Sequence, residues 1–134
     1  MIDPATDYPK VRALSASIIE IDYGPNGQVT LEAIRSAHLR HKALGLEGRQ
    51  GVLVRADDVI RADQDAERFC ASQAVQDVTL AVAIVAKSFV ARHLGRMYLW
   101  MFKPPYPSRL FADSDEALRW LEFMVDKIRS RETQ

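Results

Sequence analysis

The chain is predicted to fold as an α/β domain with a four- to five-stranded mixed sheet and four helices. Two observations carry that expectation. Segments of strand and helix character alternate from Val11 to Ile128, and alternation of this kind implies a largely parallel sheet, because each crossover helix returns the chain to the same edge. The run Val78 to Val85 is apolar except for Thr79, which marks an inner strand covered on both faces.

Taken in order, residues 1–10 are polar with two prolines and read as a tail, with the domain spanning 11–134. Val11 to Tyr23 is one long strand or two short ones, with no clear turn signal between them. Gly24-Pro25-Asn26-Gly27 is a turn. Thr30 caps a first helix, with Glu32 in its first turn, that runs to about Leu44 and stops at Gly45. Gly51 to Arg55 is a short strand. A second helix begins near Asp63 and places Ala62, Ala66, Phe69, Cys70 and Ala74 on one face. Ser88 caps a third helix that reaches Phe102. The three prolines in Lys103 to Ser108 exclude helix there. Leu110-Phe111 fits only an edge strand, and Asp113 with Glu116 forms a capping box for the last helix. That helix carries the stripe Ala117, Leu118, Leu121, Met124, Val125 and Ile128.

Composition narrows the function classes. The 134 residues suffice for one domain, and 18 basic residues balance 18 acidic ones. The whole-chain field therefore gives no reason to expect nucleic acid or an anionic membrane as partner. One cysteine, Cys70, rules out an internal disulfide and a cysteine-rich metal site, so a reducing cytoplasmic setting is expected. The start Met1-Ile2-Asp3-Pro4 lacks signal-peptide character. The longest apolar runs, Leu80 to Ala86 and Met97 to Phe102, fall well short of the roughly 18 residues of a membrane span.

The segments Lys103 to Phe111 (KPPYPSRLF) and Asp113 to Leu121 (DSDEALRWL), together with the element order over about 11–130, resemble the STAS superfamily. The nearer likeness is to small bacterial SpoIIAA-like proteins, related to anti-anti-sigma factors. The resemblance implies a fold more than an activity, since the role of that group is mostly unassigned. In anti-anti-sigma proteins a helix start carries Asp-Ser-Ser-Gly, and a partner kinase phosphorylates the second serine. The matching segment here reads Asp63-Gln64-Asp65-Ala66, so the aspartate is kept at Asp63 and the phosphoacceptor position falls on Asp65. No hydroxyl is present at this turn. Asp65 is then either a permanently charged stand-in for phosphate or, with Asp63, simply a cap for the helix and a complement to its dipole.

Three further places are candidate sites. Lys87-Ser88 offers a lysine, a hydroxyl and free backbone N–H groups at a helix start, an anion site without a glycine-rich loop. On the third helix, Val90, Leu94, Met97 and Met101 form a core stripe. A second stripe of Phe89, Arg92, His93, Arg96 and Trp100, with Tyr98 and Phe102 adding apolar area, suits a protein partner or a second copy. The same helix could instead wall a small-molecule or lipid site, lined by Met97, Met101, Trp100 and Phe102. His38 and His41, three apart, read as partly buried structural histidines rather than metal ligands. Cys70 sits in an apolar stripe and reads as a small hydrophobe. No cofactor, metal or catalytic constellation is expected, which leaves a non-catalytic interaction module as the leading function and a ligand-binding module as the alternative.

Overall fold

The computed structural model describes residues 7–133. Its main sheet has five strands: β1 (Lys10–Ala13), β2 (Ile18–Asp22), β4 (Gln50–Arg55), β6 (Thr79–Val85) and β7 (Ser108–Phe111). They lie in that spatial order, with β1 antiparallel to β2 and every other pair parallel. The short β3 (Gln28–Val29) and β5 (Arg61–Ala62) form a separate parallel pair that the sequence did not signal. The helices are α1 (Leu31–Ala43), α2 (Gln64–Cys70), α3 (Gln73–Gln76), α4 (Phe89–Phe102) and α5 (Ser114–Glu132).

The α/β class and mixed sheet are as expected, with five helices in place of four. The predicted second helix breaks after Cys70, where Ser72 turns extended (φ −69°, ψ 157°) and restarts the chain as α3. The predicted third helix is therefore α4. Val11 to Tyr23 resolves into a tight hairpin. Its turn is held by Ser15, whose Oγ accepts from the Ser17 and Ile18 N–H groups, while the Leu14 and Ser15 N–H groups donate to the Ile18 carbonyl. Serine side chains supply that turn without glycine or proline, so the usual turn signals are missing. The limit of the predicted tail also moves. Residues 1–6 lie outside the described residues, but Pro9 is buried, its carbonyl accepts from Arg40 at 2.7 Å, and Lys10 opens β1.

Thr30 and Ser88 cap α1 and α4 as expected, accepting from the Ala33 and Ala91 N–H groups. Asp113 caps α5 by accepting from the Asp115 N–H rather than through a reciprocal box with Glu116. The α4 helix ends at Lys103, a left-handed residue (φ 41°) whose neighbour Pro104 cannot extend a helix.

Both faces of β4 and β6 are buried. Ala81, Ala83 and Val85 face α5, together with Ile18, Leu53, Ala117, Leu121 and Val125. Ile84 and Val82 point the other way, toward Tyr23, Val54, Ala91 and Leu94 under α1, α2 and α4. The register slips between Gln50 and Gly51, leaving Leu80 without a partner on β4. Beside the part of the sheet that α5 covers, Glu20 is 6% exposed and accepts from Arg12 (2.8 Å) and Arg55 (3.0 Å). Burial would raise this carboxyl, but the two guanidinium hydrogen bonds outweigh it and hold the group below the ordinary carboxylate range.

Gly51 sets the seat of α5. A Cβ there would stand 2.9 Å from Val125 Cγ2 and 3.3 Å from Leu121 Cδ2. Gly51→Ala must push the helix from the sheet and is expected to lose about 1–3 kcal/mol in urea unfolding. Gly95→Ala provides the contrast. Its Cβ would meet only the tip of Leu110, at 2.8 Å, and the gain in helix propensity of about 1 kcal/mol offsets that strain. Equal losses at the two sites would contradict this packing.

Candidate functional site

The helices on the α1 side do not close tightly on the sheet. Between β2, β4 and β6 below and α1, α2 and α4 above lies a cavity of about 150 Å³. Its walls are apolar, with Ile21, Val52, Val54, Val82 and Ile84 from the strands and Ile34, Ala37, Ala91 and Leu94 from the helices. Helix residues that line it include the small Ala37, Ala91 and Gly95.

Polar groups gather at one end. Thr79 opens β6, Cys70 ends α2, Tyr98 lies in the last part of α4, and Tyr106 comes from the proline loop; all four line the cavity. The Tyr106 hydroxyl donates to the Cys70 carbonyl at 2.8 Å, and Tyr98 lines the cavity beside Cys70 and Tyr106. Burial pushes the Cys70 thiol up to about 12 and raises both phenols. Burial thus favours the neutral form of each of these groups.

The two histidines separate in role. His41 is 5% exposed, and its Nε2 lies 2.8 Å from Gln50 Oε1. The Gln50 amide nitrogen already donates to the Glu47 and Gly48 carbonyls, so Oε1 must accept and His41 Nε2 carries the proton. His38 packs edge-on against Phe69 at 5.6 Å, and its buried Nδ1 has no partner among the described residues. Burial lowers both imidazoles. Among the described residues no group of three His, Cys, Asp or Glu side chains is placed to hold a metal.

The remaining candidate residues scatter. The expected core stripe of α4 is turned: Val90, Met97 and Met101 are exposed, and Ala91, Leu94, Gly95 and Tyr98 face inward. The cause is that α4 sits close over β7, with Gly95 against Leu110, so small residues and not the largest apolar ones choose the buried face. Phe89 (85%) and Trp100 (72%) are freely exposed, flanked by exposed Arg92, His93 and Arg96. Tyr98 belongs to the cavity and not to the outer surface, and half-buried Phe102 stacks on it at 6.0 Å. A ligand site lined by Met97, Met101, Trp100 and Phe102 does not form.

Lys87 and Ser88 do not leave a free anion cradle. Both backbone N–H groups donate to the Asp57 carbonyl, at 3.1 and 2.9 Å, and the Ser88 hydroxyl is spent capping α4. At the acidic turn, Asp63 makes no side-chain cap; its carboxylate pairs with Arg61 at 2.8 Å, and Asp65 pairs with Arg68 at 3.3 Å. Sequence reasoning missed the cavity. Its only trace is the set of small residues on the inward faces of α1 and α4.

The lowered His41 sets a pH dependence. A histidine depressed on folding leaves stability intact above its ordinary value near 6.5, and that contribution is lost as pH falls below it. His38 acts in the same sense, whereas Glu67, raised by burial from 4.5, acts oppositely at lower pH. Urea unfolding is expected to show stability falling from pH 6.5 downward, with a shallower fall in His41→Gln. Identical slopes for the two proteins would assign the effect elsewhere.

No curated protein and no solved structure matches the chain. One family does, a domain of unknown function (DUF7793), over residues 13–125. Matched over most of its length, this protein, with its sheet of β1, β2, β4, β6 and β7 and its cavity beneath α4, belongs to that family.

Proposed function

We propose that this is a non-catalytic, STAS-like regulatory module that takes up a small, largely apolar molecule beneath α4. The observation that carries the reading is the 150 Å³ cavity with apolar walls and neutral hydrogen-bonding groups at one end. An apolar cavity of about that volume is known to accommodate benzene, so the ligand is of single-ring size. A lipid acyl chain, several times larger, does not fit the cavity as it stands. The non-catalytic part rests on chemistry: Cys70, Tyr98 and Tyr106 are all driven toward their neutral forms by burial. The STAS-like part rests on the strand and helix order and on the single antiparallel strand at the edge of the sheet.

A second reading, binding of a protein partner or a second copy, is favoured by the outer face of α4. Phe89, Met97 and Trp100 lie on one side of it, with Val90 and Met101 beside them, all exposed. Aromatic and methionine side chains are enriched in interfaces, and Arg92 and Arg96 would form a polar rim. The two readings are compatible, because one face of α4 walls the cavity and the opposite face is open.

Toluene tests the cavity. A ligand at about 100 times its dissociation constant stabilises by roughly 2.7 kcal/mol, or a rise of several degrees in Tm. Wild type is expected to show that rise, and Ala37→Leu, which grows into the cavity, to lose it. A Tm unmoved by toluene in wild type would remove the ligand reading. For the outer face, Trp100→Glu is expected to change stability by less than about 0.5 kcal/mol, because the side chain is 72% exposed. Light scattering of wild type beside Trp100→Glu decides whether the face joins two copies.

A further inference from the structure

Among the residues that line the cavity, Glu67 alone carries a formal charge at neutral pH. It projects from the middle of α2 and is half-buried. Among the described residues it makes no ion pair and no side-chain hydrogen bond, unlike the two carboxylates before it. Asp63 pairs with Arg61, and Asp65 with Arg68. On α1, Arg35 lies over the Phe69 ring, 5.9 Å from its centre. Desolvation pushes the Glu67 carboxyl up, with no opposing hydrogen bond. Its carboxylate oxygens are not among the buried atoms without a partner, so it stands partly hydrated at the edge of an apolar chamber, open to pairing with a cation.

The groups around it offer no completion. From α1 come His38 and His41, both held neutral by burial; from α2 comes the neutral Cys70; from α4 and the proline loop come Tyr98 and Tyr106. The lining contains neither lysine nor arginine. A carboxylate ligand would meet a like charge and find no cation. A purely apolar ligand would fill the chamber and make no use of the Glu67 charge. A ligand with one ammonium group uses both parts of the site, its ring in the apolar chamber and its charge paired with the carboxylate.

Building on the cavity reading above, we propose that Glu67 is the recognition group of the site and that its ligand class is a compact aromatic or alicyclic amine. The ring occupies the apolar chamber between β4, β6 and α4. The ammonium group stays at the half-buried Glu67, where water can still reach it and its desolvation is incomplete. This arrangement suits a primary amine on a short linker to one ring.

Three probes of one size and different charge test this: benzylamine, benzyl alcohol and benzoate, titrated by calorimetry into wild type and Glu67→Gln. Benzylamine is expected to bind wild type about tenfold more tightly than benzyl alcohol, with benzoate weakest. Glu67→Gln, nearly isosteric, is expected to erase the amine preference while leaving benzyl alcohol within about twofold, which also verifies that the cavity is intact. Equal binding of benzylamine and benzyl alcohol to wild type would overturn the role of Glu67 while the cavity reading stands. So would an amine preference that survives Glu67→Gln, or a loss of both ligands in that variant. If none of the three probes binds wild type, the cavity reading itself fails and this inference falls with it.

Discussion

Burial of the inner strands β4 and β6 on both faces is the constraint from which the rest of this structure follows. A parallel pair in the middle of a sheet satisfies its backbone only through its neighbours and must be covered above and below. The chain meets that demand unequally. One long helix, α5, covers one face and is seated directly on it because Gly51 has no side chain. The other face is covered by α1, α2 and α4, none longer than 14 residues. Where α5 does not reach, Glu20 with Arg12 and Arg55 closes the surface with charge-assisted hydrogen bonds. Where the shorter helices meet, no comparable filler is present, and the cavity remains.

The α4 helix therefore has two working faces. Ala91 and Gly95 let it approach the sheet and β7 closely, and Tyr98 reaches inward to Tyr106 and Cys70. The opposite face carries Phe89, Met97 and Trp100 into solvent. A ligand that altered the packing under α4 would act on the same rigid element that presents this apolar surface. Such a link needs no long pathway, because the two sites share one helix.

The helix ends were largely legible because capping is local chemistry: Thr30 and Ser88 take the predicted positions and accept the predicted bonds. The α5 stripe was legible because a long helix against a flat sheet buries its large apolar residues, and Ala117, Leu121 and Val125 do so. The α4 stripe was misread because hydrophobicity was weighed by size, whereas close approach to β7 selected Ala91 and Gly95. The hairpin turn at Ser15 was invisible because hydroxyl groups replaced the usual glycine and proline. The acidic turn looked like a cap, but Asp63 found Arg61 instead, a choice between a backbone dipole and a nearby guanidinium that only placement in space decides.

By itself, the sequence determined the α/β class, the doubly buried strand from Thr79 to Val85, the edge position of β7 and the start of each long helix. Periodicity, proline and capping residues act over a few neighbours, and those neighbours are adjacent in the chain. Only the tertiary structure decided that α4 turns Tyr98 inward, that His41 meets Gln50, and that Glu67, unpaired among the described residues, lines the cavity. Each of these depends on how closely separate elements approach, and the volume left between helices belongs to no single segment.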